Sequence, residues 1–336
     1  MTKLSKVSFF LFITIYNYLW FRIILFSYIY NNIGNMGVLG IAILAVAVLF
    51  IFAIMPKKLL EKDYADGFNK SIYKYIYYII LILESIFGLC FCTYLLAEVF
   101  IVGSNPFCML FFLSLIMSLL SKAKPFEVME ISTLFSIVGY VLLFASLMLF
   151  PTIDLTVLLP FKSINYLFLP FVLLMIIGDN LSLIINKENL KFSKLNYIMG
   201  ILTAIFFLGL EYFMLVCCAG TVFFKDLDWV GFIILSIEPV SKYFGNFDFA
   251  YIFFIVCSSI FKYSFNLSIV RNSLNLNKKV MSFVMLGILV ILGYVTYTFI
   301  PLGNTMMLIS SILLMLSFTI FIWFLKECYF VRKSKK

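Results

Sequence analysis

The chain contains no histidine among its 336 residues. This absence excludes metal sites built on imidazole ligands and catalysis by a histidine general base. Charged residues are also scarce, at 12%, whereas 64% of residues are apolar, compared with about 45–50% in a soluble domain. No stretch between apolar segments is long enough for a separate soluble domain. We therefore predict a single transmembrane domain over residues 1–336 that is not an enzyme and uses no cofactor.

The seven cysteines form no paired Cys-x-x-Cys motif, and all lie inside or at the ends of apolar segments. This pattern argues against a disulfide framework or a zinc site. The first apolar segment lacks a small-residue cleavage site, so we interpret it as a retained span and not as a signal peptide.

Ten apolar segments follow one another along the chain, and most reach the roughly 20 residues that cross a hydrocarbon core of about 30 Å. They predict an all-α polytopic membrane protein with ten transmembrane helices. Segment 3 is long and is expected to tilt or to extend beyond the bilayer. The segments lie at about 7–30, 36–55, 72–102, 106–121, 126–150, 165–186, 196–222, 248–270, 280–300 and 303–325.

Basic residues fall on alternate sides of these segments. Nineteen of the 25 Lys and Arg lie at the termini and in the second, fourth, sixth and eighth loops. Only Lys162, Lys225 and Lys242 lie in the odd-numbered loops, and the remaining three lie within apolar segments. Because basic loops stay in the cytoplasm, both termini are predicted to be cytoplasmic. The net charge of +9 then reflects topology and gives no reason to expect nucleic acid. The tail 326–336 is interpreted as a stop-transfer anchor, with contact to anionic membrane lipid as the alternative.

Five charged residues lie near the middle of their segments. Such charges are costly in a bilayer and usually face the interior of the helix bundle. Two are positive and three are negative, which allows two ion pairs and one carboxylate that carries a proton. A substrate or proton site at the midplane is one interpretation, and ion pairs that only hold helices together are the other. The residues are Arg22, Glu84, Asp179, Glu211 and Lys262.

Segment 8 carries a polar stripe. Ser258, Ser259, Lys262 and Asn266 recur at spacings of three and four residues, so they share one face of a helix. This face is predicted to bind a ligand or a neighbouring helix. Small polar residues also mediate ordinary helix packing in membranes, so the two serines fit either role.

Segment 6 contains Gly178, Asp179 and Asn180 at mid-membrane. Three poor helix formers in a row predict a break, which a membrane tolerates only around a cavity or a protein-lined site. The alternative is an intact helix in which Asp179 pairs with a cation. Other glycines are predicted to be close-packing points, namely Gly88, Gly139 and Gly200.

Several stretches resemble a known family. The element Lys124–Glu130, the loop motifs Pro151–Leu155 and Leu158–Pro160, and the stretch Phe244–Phe265 look like the central region of the B subunits of bacterial spore germinant receptors. Ten spans with cytoplasmic termini also fit that family. The resemblance covers most of the chain, and its motifs are loose.

The resemblance implies a fold and a function. The family belongs to the amino acid–polyamine–organocation transporter superfamily, which implies a LeuT-like 5+5 inverted repeat, here about 7–150 and 165–325. It implies a ligand-sensing permease subunit that binds a small germinant such as an amino acid between spans 1, 3, 6 and 8, with A- and C-type receptor subunits as partners in the spore inner membrane. Gly178, Asp179 and Asn180 would line the span 6 break, Ser258, Lys262 and Asn266 would face it, and Glu84 or Glu211 would pair with Lys262 or Arg22.

The chain also departs from the family. Residues 1–33 contain no glycine, although span 1 of the superfamily usually has a glycine-rich break. Two alternatives therefore stay open. One is a stand-alone proton- or cation-coupled amino acid transporter on the same fold. The other is a polysaccharide polymerase or flippase, although the largest external loop lacks the arginine that such polymerases commonly need.

Overall fold

The structure is a computed structural model that describes residues 6–20, 29, 34, 37–54, 72–101, 103–146, 154–158, 168–185, 194–219, 247–274, 278–300 and 304–333. These residues form helices and turns, with no strand among them. The helices are α1 (Lys6–Trp20), α2 (Gly37–Ile54), α3 (Tyr73–Tyr94), α4 (Pro106–Leu120), α5 (Pro125–Ser146), α6a (Phe168–Asp179), α6b (Leu181–Ile185), α7 (Lys194–Ala219), α8 (Phe247–Ser273), α9 (Lys278–Phe299) and α10 (Asn304–Lys333).

Each of the ten predicted apolar segments contains a helix, so the helical membrane-type class is confirmed. Segment 3 is long, as expected, because a π-helical turn over Leu95–Phe100 continues α3. Two boundaries differ from the prediction. Helix α8 continues to Ser273 and takes in Arg271, which the charge pattern placed in a loop. Helix α10 runs to Lys333, so most of the predicted tail is helical, as the good helix propensity of Lys, Arg and Glu allows.

Four helices are long and apolar enough to cross a bilayer by themselves, within the described part of the chain. They contain the stretches Tyr73–Ala97, Leu195–Met214, Ile252–Ser273 and Val280–Phe299. Shorter apolar helices account for Val7–Tyr18, Gly37–Ile51, Pro106–Leu120, Pro170–Leu183 and Leu308–Ile320. Large apolar side chains cover the outer surface, and Phe283 and Phe299 of α9 are each 76% exposed. An aqueous protein rarely exposes so much apolar surface, whereas lipid tails accept it.

The start of α4 shows how the chain ends one helix and begins the next. Gly103 adopts a positive φ of 87°, a conformation that glycine reaches without strain. Asn105 then caps α4, because its side chain accepts a hydrogen bond from the backbone N–H of Phe107 at 2.9 Å. Pro106 occupies the first turn, where its missing N–H is not needed.

Helix α8 lies at the centre of the bundle. It packs against α1, α3, α4 and α5, and α3 packs in addition against α4, α9 and α10. The remaining principal packing pairs join α1 to α5 and α7, α2 to α6a and α7, α4 to α9, α5 to α7, and α6a to α10.

Close approach between helices depends on glycine, as predicted for Gly88 and Gly200. A Cβ atom on Gly88 of α3 would overlap the ring of Tyr263 in α8, and one on Gly200 of α7 would lie 2.7 Å from Ile13 in α1. A larger residue at these points would require the neighbouring side chains to move. The surroundings of Gly139 lie outside the described residues.

Two contacts between distant segments fit a bundle in which successive loops lie at opposite ends. At one end, the backbone N–H of Asp154 donates to the carbonyl of Cys217 near the end of α7 at 3.1 Å, and the Tyr212 hydroxyl donates to the Gly34 carbonyl at 2.7 Å. These contacts join the predicted first and fifth loops to the C-terminal third of α7, as expected if odd-numbered loops lie at one end of the bundle.

Candidate functional site

Segment 6 is interrupted at Asn180. The backbone N–H of Asn180 still donates to Ile176 at 3.2 Å, but the N–H of Leu183 donates to Asn180 over three residues, which tightens the turn between α6a and α6b. The sequence left two alternatives for segment 6: a break, or an intact helix in which Asp179 pairs with a cation. The structure combines the two, since the interruption lies directly after an aspartate that is paired with a cation.

A buried ion pair lies at this interruption. Lys262 of α8 donates from Nζ to Oδ2 of Asp179 at 2.8 Å, and the two side chains are only 3% and 1% exposed. The same Nζ lies 4.3 Å from the ring centroid of Tyr16 in α1. A desolvated cation–π contact of this kind stabilises by about 2 kcal/mol or more. Three helices therefore meet at one ammonium group.

Tyr16 connects this pair to the rest of the site. Its hydroxyl lies 3.1 Å from the Ser182 hydroxyl and 3.3 Å from both the backbone carbonyl of Asp179 and Oδ1 of Asn266. The ring is 1% exposed and packs edge-on against Phe265. Tyr16 thus satisfies a carbonyl at the interruption and supports Lys262 through its ring. Sequence reasoning missed it, because a tyrosine inside an apolar segment looks like any other core aromatic residue.

Two asparagines join α1 to the interruption. Asn17 Nδ2 donates to Asn180 Oδ1 at 3.1 Å, and Asn180 Nδ2 donates to Asn17 Oδ1 at 2.5 Å. Each amide also donates to the carbonyl four residues earlier in its own helix, Asn17 to Ile13 at 2.9 Å and Asn180 to Ile176 at 2.8 Å. The sequence analysis placed Asn180 in the site but overlooked Asn17, although an amide in the middle of segment 1 was a signal for it.

The polar stripe of α8 is buried along its whole length. Ser258, Ser259, Lys262 and Asn266 are each at most 3% exposed. Asn266 accepts from Tyr16 through Oδ1, while its Nδ2 has no partner among the described residues. Asp179 Oδ1 and the Ser258 hydroxyl are likewise buried without a described partner. Buried polar groups normally have a partner, so these atoms are candidates for contact with a ligand.

The other predicted site residues do not all lie at the ion pair. Glu84 of α3 is buried and lies within electrostatic range of both Asp179 and Lys262. Gly178 faces α10, where a Cβ atom would overlap the carbonyl of Leu314, so its role is close packing. Glu211 is buried on α7. Arg22 lies outside the described residues.

The described residues contain no group of three or more Cys, Asp or Glu side chains able to hold a metal ion. The site instead combines one ammonium, two carboxylates, amides and hydroxyls, which is the chemistry that binds polar organic solutes.

No family model, curated protein or solved structure matches the chain. The resemblance to germinant receptor subunits therefore stays a prediction.

Proposed function

We propose that this protein is a permease-type membrane protein that binds a small polar solute such as an amino acid at the α6 interruption, and that it is the ligand-sensing B-type subunit of a spore germinant receptor. The observation that carries the proposal is the buried Lys262–Asp179 pair beside the interruption. Charged residues inside a membrane bundle and interrupted helices both occur at the substrate sites of transporters.

The helix packing supports a 5+5 inverted repeat as the scaffold. If helices 1–5 are exchanged with helices 6–10, most of the principal packing pairs map onto one another. The contact of α1 with α7 becomes that of α6a with α2, and the contact of α1 with α5 becomes that of α6a with α10. The pairs α2–α7, α3–α8 and α4–α9 map onto themselves, as a pseudo-two-fold axis requires.

The two asparagines support the same scaffold. Contacts across a two-fold axis are reciprocal, and residues on the axis meet their own equivalents. Asn17 and Asn180 meet in this way, and each donates to an isoleucine carbonyl four residues earlier, Ile13 in α1 and Ile176 in α6a. The proposed repeat thus makes α1 and α6a equivalent helices whose polar centres touch.

The site chemistry favours a zwitterionic or similarly polar ligand. Asp179 Oδ1 offers an acceptor for an ammonium group, and Asn266 Nδ2 offers a donor for a carboxylate. The Tyr16 hydroxyl bonds to the backbone and side chains of this region. Helix α1 continues as a regular helix to Trp20 and places the large Tyr16 ring against the interruption, so a ligand there would contact the tyrosine.

Thermal unfolding of the purified protein in detergent tests the solute site, with each of the twenty amino acids as the probe. At least one amino acid is expected to raise the unfolding temperature of the wild type, because a ligand that binds only the folded state stabilises it. Asn266→Ala is expected to lose this shift. Asn272→Ala is the matched control, since Asn272 lies on the same helix and its Nδ2 already donates to Ser268 at 2.8 Å. No shift with any amino acid, or an equal shift in the Asn266→Ala variant, contradicts the proposed site.

Reconstitution separates the receptor from the alternative, a stand-alone coupled transporter. The excess of carboxylates over ammonium groups in the site favours that alternative specifically, because it provides a place for a coupling cation. Concentrative uptake of the stabilising amino acid into liposomes that contain only this chain would establish the transporter. Binding without uptake is the result expected for a receptor subunit.

A further inference from the structure

Glu84 is a buried carboxylate beside an ion pair that is already complete. It is 8% exposed and lies on α3, which packs against α8. The next residue, Ser85, donates to the carbonyl of Tyr263, the residue after Lys262, at 3.4 Å. Among the described residues, no hydrogen bond or ion pair to its carboxylate is found, and Asp179 holds the Lys262 ammonium at 2.8 Å. Two carboxylates therefore share one cation.

The surroundings of Glu84 supply no second cation within the described part of the chain. The charges that act on it are those of Asp179, which repels it, and of Lys262, which attracts it. Besides Lys262, the titratable groups that in turn sense Glu84 are three buried tyrosines, one each on α1, α3 and α8: Tyr16, Tyr77 and Tyr263. A tyrosine that is neutral cannot balance a carboxylate.

An unbalanced carboxylate is costly at this place. The energy of transferring an isolated ionised carboxylate into an apolar interior is so large that the group takes up a proton instead. Asp179 avoids this outcome because it accepts a charge-assisted hydrogen bond from Lys262. Glu84 has no such donor among the described residues.

We propose that Glu84 is a proton-binding site, and that its carboxyl group is protonated in the resting protein while Lys262 and Asp179 keep their ion pair. Among the described residues, this proton is the exchangeable positive charge of the site. A cationic group that enters the site replaces it, so Glu84 releases a proton when an ammonium group or another cation binds beside Asp179. The inference depends on the resting geometry and holds whether or not the proposed solute binds.

Infrared spectroscopy of the intact protein in lipid nanodiscs tests this inference without any ligand. A protonated carboxylic acid has a carbonyl stretching band, separate from the amide bands, that shifts in heavy water. The wild type at neutral pH is expected to show such a band, and Glu84→Gln is expected to lose it. Glu84→Asp keeps a carboxyl group in the same place, so the band is expected to move in frequency and not to disappear. This second variant keeps the inference testable even if Glu84→Gln does not fold.

Two further variants separate Glu84 from the other buried carboxyl groups. Glu211→Gln is the matched control on α7 and should retain the band. Asp179→Asn should lose it, because Lys262 then has only Glu84 left to pair with among the described carboxylates and draws its proton off. The inference is overturned if the wild type has no such band at neutral pH, or if the band survives in Glu84→Gln.

Discussion

Removal of Lys262 alone from the Lys262–Asp179 pair should harm the protein more than removal of both members. Lys262→Met leaves Asp179 buried without its ammonium partner. Asp179→Asn leaves the ammonium above the Tyr16 ring and within range of Glu84. The double variant removes both charges and keeps apolar bulk in the position of the lysine. The three variants together form a double-mutant cycle.

The expected magnitudes follow from the geometry. Lys262→Met should lower the free energy of unfolding by about 3–5 kcal/mol, the usual cost of leaving one buried charge uncompensated. Asp179→Asn should cost less, about 1–2 kcal/mol, because it converts a charge-assisted hydrogen bond to a neutral one and Glu84 can replace the lost charge. The double variant should lose less than about 2 kcal/mol, since replacement of a complete buried pair by apolar side chains is often nearly neutral. The sum of the two single losses should therefore exceed the loss in the double variant by about 2 kcal/mol or more.

Equilibrium unfolding in mixed detergent micelles, followed by far-ultraviolet circular dichroism, measures these differences. Lys74→Met is the matched control, because Lys74 lies in the first turn of α3 and is only partly buried, with its Nζ 5.2 Å from the ring centroid of Tyr75. Its loss should cost less than about 1 kcal/mol. Strictly additive losses in the double variant, or a Lys262→Met effect as small as that of the control, would refute the coupling of the two charges.

The remaining predictions concern helix packing around the interruption. Gly178→Ala should destabilise the protein by about 1–3 kcal/mol, because its Cβ would overlap the Leu314 carbonyl. Gly287→Ala has no atom within 4 Å of its Cβ and should be neutral or slightly stabilising in the same unfolding assay. Asn17→Ala and Asn180→Ala should each cost about 1–3 kcal/mol, since each leaves a buried amide with fewer partners, and the double variant should cost less than their sum. Additive effects would show that the two amides act independently.

The helices were predictable because lipid imposes a simple rule. A segment that crosses a bilayer must satisfy its own backbone and present apolar side chains, so long apolar runs become helices. This rule gave all ten helical segments, and three- and four-residue spacing placed Lys262 and Asn266 on one buried face. The boundaries at Arg271 and Lys333 were missed because basic residues are compatible with helix as well as with loop.

Partners between segments were not predictable from the same patterns. Helical periodicity says which residues share a face, but nothing in it says which other helix that face meets. The sequence patterns left several pairings open, since Glu84 or Glu211 could pair with Lys262 or Arg22 and Asp179 could pair with a cation. The structure pairs Lys262 with Asp179, 83 residues away. Tyr16 was missed for the same reason, because its importance comes from a hydroxyl that reaches three groups in segments more than 160 residues distant.

The sequence by itself determined that this is a helical membrane-type chain, that charges lie at the middle of several helices, and that segment 6 has a weak point at residues 178–180. These properties depend on local composition and on the low polarity of lipid. Only the tertiary structure decided which charges meet, that Tyr16 lies against the interruption, and that Glu84 lies beside a pair that needs no third charge. Those facts depend on how α1, α3, α6a and α8 pack together, and packing is a property of the whole bundle.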